Sequence, residues 1–109
     1  MRRFAPTMAQ GMRKARTLKV LLEQNGFPVT QVLLFGSVAK GVAHPRSDID
    51  IAVVHRPFGN SRMEELHALC RIEQGEDLQN IAVVYFHTED LEDKYSTLVR
   101  EVKKHGLPV

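Results

Sequence analysis

Ten residues separate a Gly36-Ser37 pair from Asp48, and this spacing constrains the chain more than any other feature. A β-rich run ends at Gly36, where a residue without a Cβ lets backbone amides approach a bound anion, and Ser37 adds a hydroxyl donor. The intervening residues include a glycine and a proline, which favour a turn that brings the chain back to a second strand. The pattern predicts a phosphate-binding turn that faces a pair of carboxylates, Asp48 and Asp50.

The two aspartates are separated by one apolar residue. On a strand their side chains point to the same face, about 7 Å apart. Mg²⁺ prefers a few carboxylate oxygens together with waters and substrate phosphate oxygens, which suits Asp48 and Asp50. Two such ions about 3.5 to 4 Å apart can activate an incoming hydroxyl and neutralise a leaving pyrophosphate. The aspartates are therefore predicted to be metal ligands and catalytic residues in nucleotidyl transfer.

The segment from residue 32 to residue 54 resembles the minimal nucleotidyltransferases of the DNA polymerase beta superfamily, whose signature is Gly-Ser, a ten-residue gap and Asp-x-Asp. The matching stretches are Leu34-Phe35-Gly36-Ser37, Ala39-Lys40-Gly41 and Ser47-Asp48-Ile49-Asp50-Ile51-Ala52-Val53. The resemblance implies an α/β (α+β) fold with a small mixed β-sheet and helices packed mainly on one face. It also implies transfer of a nucleoside monophosphate, AMP from ATP, to a hydroxyl of a partner protein. Such single-domain proteins are often encoded beside a HEPN-type toxin and act as its antitoxin.

The phosphate ligands predicted within this segment are Gly36, Ser37 and Lys40. Lys40 and Arg46 lie in the loop after the turn and can neutralise the β- and γ-phosphates of a nucleoside triphosphate, with Lys40 preferred. Plain solvent exposure of this lysine is the alternative interpretation.

One part of the family pattern is missing. Active members carry a third acidic residue on a later strand, and its position here falls on Asn80 or Ala82. Neither side chain can act as a general base for a substrate hydroxyl. Asp77, just before this strand, is the nearest substitute, with a solvated turn residue as the alternative. A competing hypothesis follows: a catalytically degenerate module that binds and neutralises a partner without turnover.

Hydrophobic periodicity predicts alternating elements and a sheet of at least three strands, with helices mainly on one side and the site on the other. The predicted strands are 29–35, 48–54 and 80–86, and the predicted helices are 7–25, 61–74 and one that begins at Thr88. Predicted inward residues are Met63, Leu66, Leu69 and Cys70 in the second helix and Leu91, Tyr95, Leu98 and Val102 in the last. His67 and Cys70 have a spacing that zinc can use, but core packing is the preferred interpretation, and His55 is interpreted as a surface histidine.

Length and composition predict one domain, 1–109, whose modest core would benefit from a homo- or hetero-oligomeric partner. A single cysteine excludes an internal disulfide framework and favours the reducing cytoplasm, and no apolar run is long enough to span a membrane. Nucleic acid is not expected as a ligand, because the net charge is only +2 and tryptophan is absent. Six basic residues precede the first acidic one: Arg2, Arg3, Arg13, Lys14, Arg16 and Lys19. They are interpreted as a solvated helix face or, alternatively, as a contact for an acidic partner or nucleic acid.

Overall fold

A computed structural model describes residues 4–109, and in this range the chain forms four strands, four α-helices and two short 3-10 turns. The elements are α1 (Met8–Gln24), β1 (Val29–Phe35), α2 (Gly36–Lys40), β2 (Ile49–His55), α3 (Arg62–Ile72), β3 (Ile81–His87), α4 (Thr97–His105) and β4 (Leu107–Pro108). The 3-10 turns are Glu76–Leu78 and Thr88–Glu92. Arg2 and Arg3 of the predicted basic segment lie outside the described residues.

The strands form one mixed sheet in the order β3-β2-β1-β4. β1 pairs antiparallel with β2 and with β4, whereas β2 and β3 run parallel. The two parallel strands are joined through α3, because a parallel pair needs a crossover connection and cannot be closed by a hairpin. The predicted small mixed sheet is confirmed.

Side chains alternate between the two faces of the sheet, and each face has its own core. One face packs against α1, α2 and α3, and its buried residues include Leu18, Leu22, Leu34, Val38, Ile51, Val53 and Leu69. The other face packs against α4 through Leu33, Phe35, Ala52, Val54, Phe86, Val99 and Val102. Each fully buried aliphatic side chain contributes about 1.5 to 3 kcal/mol to stability. The predicted α/β fold with helices mainly on one face is therefore confirmed, with α4 on the opposite face.

Helix α3 begins as predicted but buries a different face. Ser61 caps it, because its hydroxyl accepts a hydrogen bond from the Glu64 N–H at 3.2 Å. Met63 is 64% exposed and Leu66 41% exposed, so the predicted inward stripe is wrong at both positions. Glu65 is buried instead, since its carboxylate is hydrogen-bonded inside the protein, and this rotates the apolar stripe away from the core.

The region after β3 also differs from the prediction. A single helix from Thr88 was expected, but a 3-10 turn comes first and α4 begins after Ser96, whose hydroxyl accepts from the Val99 N–H at 3.1 Å. The turn is held by Asp90, which accepts a hydrogen bond from the His87 N–H at 2.8 Å. Tyr95 is consequently 93% exposed and Leu98 39% exposed, so the predicted inward stripe is wrong at both positions.

Two further packing predictions fail in α3 and β2. Cys70 and His67 are exposed, so they do not pack in the core. His55 is 2% exposed and is not a surface histidine.

Among the described residues, no helix combines the length and the apolar character that crossing a membrane requires.

Candidate active site

The Gly36 turn and the Asp50 carboxylate meet at one end of the sheet. Phe35, the last residue of β1, is paired with Asp50 on β2, and Gly36 follows with a φ of +74°. A Cβ built on Gly36 would collide with the Asp50 carboxylate. Glycine is required here for two reasons, since other residues rarely adopt this φ and any side chain would displace Asp50.

Asp48 lies close enough to Asp50 for the two carboxylates to repel each other. Burial raises the pKa of the half-buried Asp50, and the negative charge of Asp48 raises it further. Among the side chains that the structure describes, no lysine or arginine forms an ion pair with either aspartate. A cation bound between the two carboxylates would therefore relieve an uncompensated repulsion.

The loop that leads to Asp48 is closed by its own hydrogen bonds. The His44 N–H donates to the Ser47 hydroxyl at 2.9 Å, and the Ser47 N–H donates to the His44 carbonyl at 2.9 Å. On the other side of Asp48, the Ile49 N–H donates to the Asn80 carbonyl at 2.8 Å. Asp48 is thus held between two anchored residues, although its own side chain is exposed.

Asp48 also lines a cavity of about 730 Å³ between α1, the 45–49 segment and the turn before β3. This volume lies within the range of small-molecule sites, about 300 to 1,000 Å³. Three basic residues, Arg13, Lys14 and Arg46, line the same cavity. The first two are residues whose role the sequence left open, and the basic run of α1 was the signal for them. Asp50 is not among the described residues that line this cavity.

Lys40 lies in α2, where its ammonium forms an ion pair with Glu101 of α4 at 2.5 Å. The hydrogen bond and charge of Lys40 lower the pKa of Glu101. In this arrangement Lys40 joins α2 to α4, and its binding to phosphate stays a prediction.

Strand register shows which β3 residue lies beside Asp50. Asp50 is paired with Ala82 on the parallel strand β3, so their side chains share a face. Asn80 lies in the turn before β3, with a φ of +62°. Asp77 is exposed in the preceding 3-10 turn and lines the cavity together with Asp48, but its role as a substitute base stays a prediction.

Gly36 closely approaches Asp50, which has Asp48 beside it, at the end of a small mixed sheet. This arrangement is typical of a nucleotidyltransferase domain. A sequence profile of the nucleotidyltransferase domain matches residues 14–108, and the chain belongs to this family. The predicted family is therefore confirmed. A search of curated proteins found no match.

Several solved structures are similar to this chain. A protein of Sulfolobus solfataricus assigned as a nucleotidyltransferase has 20% sequence identity and a TM-score of 0.60, over 92% of this chain and 82% of that chain. A toxin-antitoxin complex with AMP-PNP has 25% identity and a TM-score of 0.54, over 86% of this chain and 70% of that chain. The toxin-antitoxin MntA-HepT has 20% identity and a TM-score of 0.53, over 89% of this chain and 69% of that chain. The likenesses at 20% identity show a shared fold.

Proposed function

We propose that this chain is a Mg²⁺-dependent nucleotidyltransferase that moves AMP from ATP to a hydroxyl of a partner protein and acts as the antitoxin of a HEPN-type toxin. The observation that carries the proposal is the close approach of Gly36 to Asp50, with the charge of Asp48 beside it. Family membership supports transferase chemistry. Two similar structures are toxin-antitoxin complexes, one of them with AMP-PNP, which supports the nucleotide and the kind of partner.

The donor set of the site fits Mg²⁺. Asp48 and Asp50 offer carboxylate oxygens, and Asp48 is exposed, so waters and phosphate oxygens could supply the remaining oxygen ligands that this ion prefers. These two residues would hold one or two ions, which when bound supply charge stabilisation to the phosphates. Among the described residues, the carboxylates have no basic partner that would compete with a cation.

The chain's own groups would bind and orient the nucleotide. Gly36 has no side chain to keep a phosphate away from the backbone amides of the turn, and the Ser37 hydroxyl can donate to a phosphate oxygen. Phe35 at the cap position of α2 provides no side-chain hydrogen bond, so the first amides of that helix stay available to an anionic ligand. Arg13 and Arg46, in the cavity wall beside Asp48, support binding of a further anionic group.

We further propose that residues 1–109 act as one domain in the cytoplasm, where the exposed thiol of Cys70 would stay reduced.

The second candidate is a binding module without turnover. The observation that favours it is the pairing of Asp50 with Ala82, because no carboxylate stands beside Asp50 on β3 to accept a proton from the acceptor hydroxyl. Such a module would retain nucleotide and metal binding and would neutralise its partner by contact.

Labelled ATP distinguishes the two candidates. The protein is incubated with [α-³²P]ATP, MgCl₂ and the product of its neighbouring gene, for which the proposal expects a HEPN-type toxin, and the label transferred to that product is measured. Asp48→Asn and Asp50→Asn should each reduce transfer by more than about 100-fold, because a metal ligand contributes several kcal/mol to the transition state. Asp93→Asn, an exposed change near α4, is the matched control and should not alter transfer.

No transfer, together with toxin binding that survives both active-site substitutions, would exclude the transferase and support the binding module. Absence of both transfer and toxin binding would refute the two candidates together.

A further inference from the structure

Three buried polar side chains meet at the end of the sheet opposite to Asp50. His55 and His87 are the last residues of β2 and β3 and are paired in the parallel register, and Glu65 reaches them from α3. Their exposed fractions are 2%, 7% and 3%. One ligand atom from each lies within 4.8 Å of the others. Four strand residues lie between His55 and Asp50, a separation of about 16 Å along β2, so this cluster is separate from the candidate active site.

Hydrogen bonds fix the orientation of these three side chains, as hydrogen bonds to metal ligands commonly do. Glu65 Oε1 lies 2.7 Å from His87 Nε2, and Glu65 Oε2 accepts the Phe58 N–H at 2.6 Å. His55 Nδ1 lies 2.9 Å from the Arg56 carbonyl oxygen. Since a carbonyl can only accept, Nδ1 carries a proton, and a neutral His55 keeps its lone pair on Nε2. A backbone carbonyl on one ring nitrogen commonly fixes the tautomer of a metal-binding histidine.

The buried carboxylate also needs a positive charge. Burial opposes ionisation of Glu65, but the hydrogen bonds from the Phe58 N–H and from His87 outweigh it and lower its pKa. Among the described side chains, His87 is the only group that forms an ion pair with Glu65. The balancing charge is therefore either a proton on an imidazole or a bound cation.

The donor set selects among cations. Two imidazoles and one carboxylate suit Zn²⁺, whereas Mg²⁺ and Ca²⁺ prefer oxygen ligands throughout. Phe58 and Tyr85 surround His55, with ring centroids 5.4 and 6.3 Å away, and give the cluster an apolar wall. A tetrahedral site with bonds of about 2.0 to 2.1 Å holds its ligand atoms about 3.3 Å apart. Since all three ligand atoms lie within 4.8 Å of one another, none of these separations has to shrink by more than about 1.5 Å, which rotation of side chains can supply.

We propose that His55, Glu65 and His87 form a Zn²⁺ site with three protein ligands. The ion binds at the junction of α3 with the ends of β2 and β3 and so stabilises the fold. The site is independent of the proposed nucleotidyl transfer, because it uses other residues at the other end of the sheet.

The test uses the untagged full chain carrying Asp48→Asn and Asp50→Asn, which removes the other predicted metal ligands. After treatment with EDTA and gel filtration, CoCl₂ is titrated and visible absorption recorded. One equivalent of Co²⁺ should produce the d–d bands of a four- or five-coordinate site, and one equivalent of ZnCl₂ should abolish them. Zinc at a hundredfold excess over its Kd should raise Tm by about 10 °C or more.

Substitutions assign the ligands. His55→Gln and His87→Gln should each abolish the bands, whereas His67→Gln, at an exposed histidine of α3, should leave them unchanged. Circular dichroism checks that each variant is folded. Because the buried variants can fail to fold, proton NMR of the Co²⁺ form with both histidines intact gives a second measurement: two imidazole N–H signals should show large paramagnetic shifts. Absence of the bands and of these signals would overturn the proposal, as would bands that persist in His55→Gln and His87→Gln.

Discussion

Replacing Gly36 by alanine tests how the glycine turn positions Asp50. Gly26 offers a matched control, because its φ is +81° and that of Gly36 is +74°. An alanine in this left-handed region costs about 1 to 2 kcal/mol. The surroundings differ: a Cβ at Gly26 has nothing within 4 Å, whereas a Cβ at Gly36 collides with the end of the Asp50 side chain.

The expected results follow from this difference. Both variants should lose about 1 to 2 kcal/mol of unfolding free energy in urea, since the Asp50 carboxylate can rotate away from the new methyl group. This loss corresponds to a fall in Tm of about 4 to 16 °C for a domain of this size. Gly36→Ala should in addition weaken Mn²⁺ or Mg²⁺ binding by about tenfold or more, because a charged ligand oxygen is displaced. Gly26→Ala should bind the ion as the unchanged protein does.

Metal binding is measured by electron paramagnetic resonance of Mn²⁺ and by calorimetry with Mg²⁺. If Gly36→Ala bound the ion as tightly as the unchanged protein, the reasoning would be refuted, because the approach of Gly36 to Asp50 would then not govern the ligand position. An equal loss in both would show that lowered stability alone reduces binding.

Four further predictions concern packing, charge and phosphate binding. Leu69→Ala, at a fully buried position of α3, should lower the free energy of unfolding in urea by about 2 to 5 kcal/mol, whereas Leu66→Ala, at a position 41% exposed, should lower it by less than about 1 kcal/mol. Equal losses would contradict the observed buried face of the helix. Asp48→Asn should lower the pKa of Asp50 in a ¹³C NMR titration but leave it above its ordinary value, because burial is the larger cause; an unchanged pKa would show that the carboxylates do not interact. Lys40→Met should return the pKa of Glu101 towards its ordinary value. In the unchanged protein the lowered pKa stabilises the fold at pH values above the unfolded-state pKa of glutamate, and this stabilisation is lost as pH falls through the lowered folded-state pKa. The variant should lack this pH-dependent stabilisation. If Lys40 also binds phosphate, Glu101→Gln should tighten ATP binding and Lys40→Met should weaken it; calorimetry that shows neither change would refute that role of Lys40.

The predicted strands agree closely with the structure because their signal is local. The first predicted strand has the bounds of β1, and the other two differ from β2 and β3 by one residue at each end. An apolar run bounded by turn residues specifies a buried strand with little help from the rest of the chain. The two-residue β4 was missed, because two residues are too few for any periodicity and pair with β1 only after the sheet has formed.

The errors in the helices come from polar contacts between residues distant in the chain. Glu65 is turned inward by His87, 22 residues later, and no pattern within α3 signals that pairing. α4 begins later than predicted because Asp90 accepts a hydrogen bond from the His87 N–H and binds the Arg62 guanidinium at 2.9 Å, which holds the preceding residues in a 3-10 turn. Buried hydrogen bonds of this kind outweigh the weak preference of a helix face for one orientation.

By itself, the sequence determined the family, three of the four strands and the placement of a glycine turn near two aspartates, since each of these depends on residues close together in the chain. Tertiary structure alone decided that Ala82 lies beside Asp50 and that His55, Glu65 and His87 share a buried space. Strand register and helix docking bring these residues together across long sequence separations, and local periodicity contains no information about either.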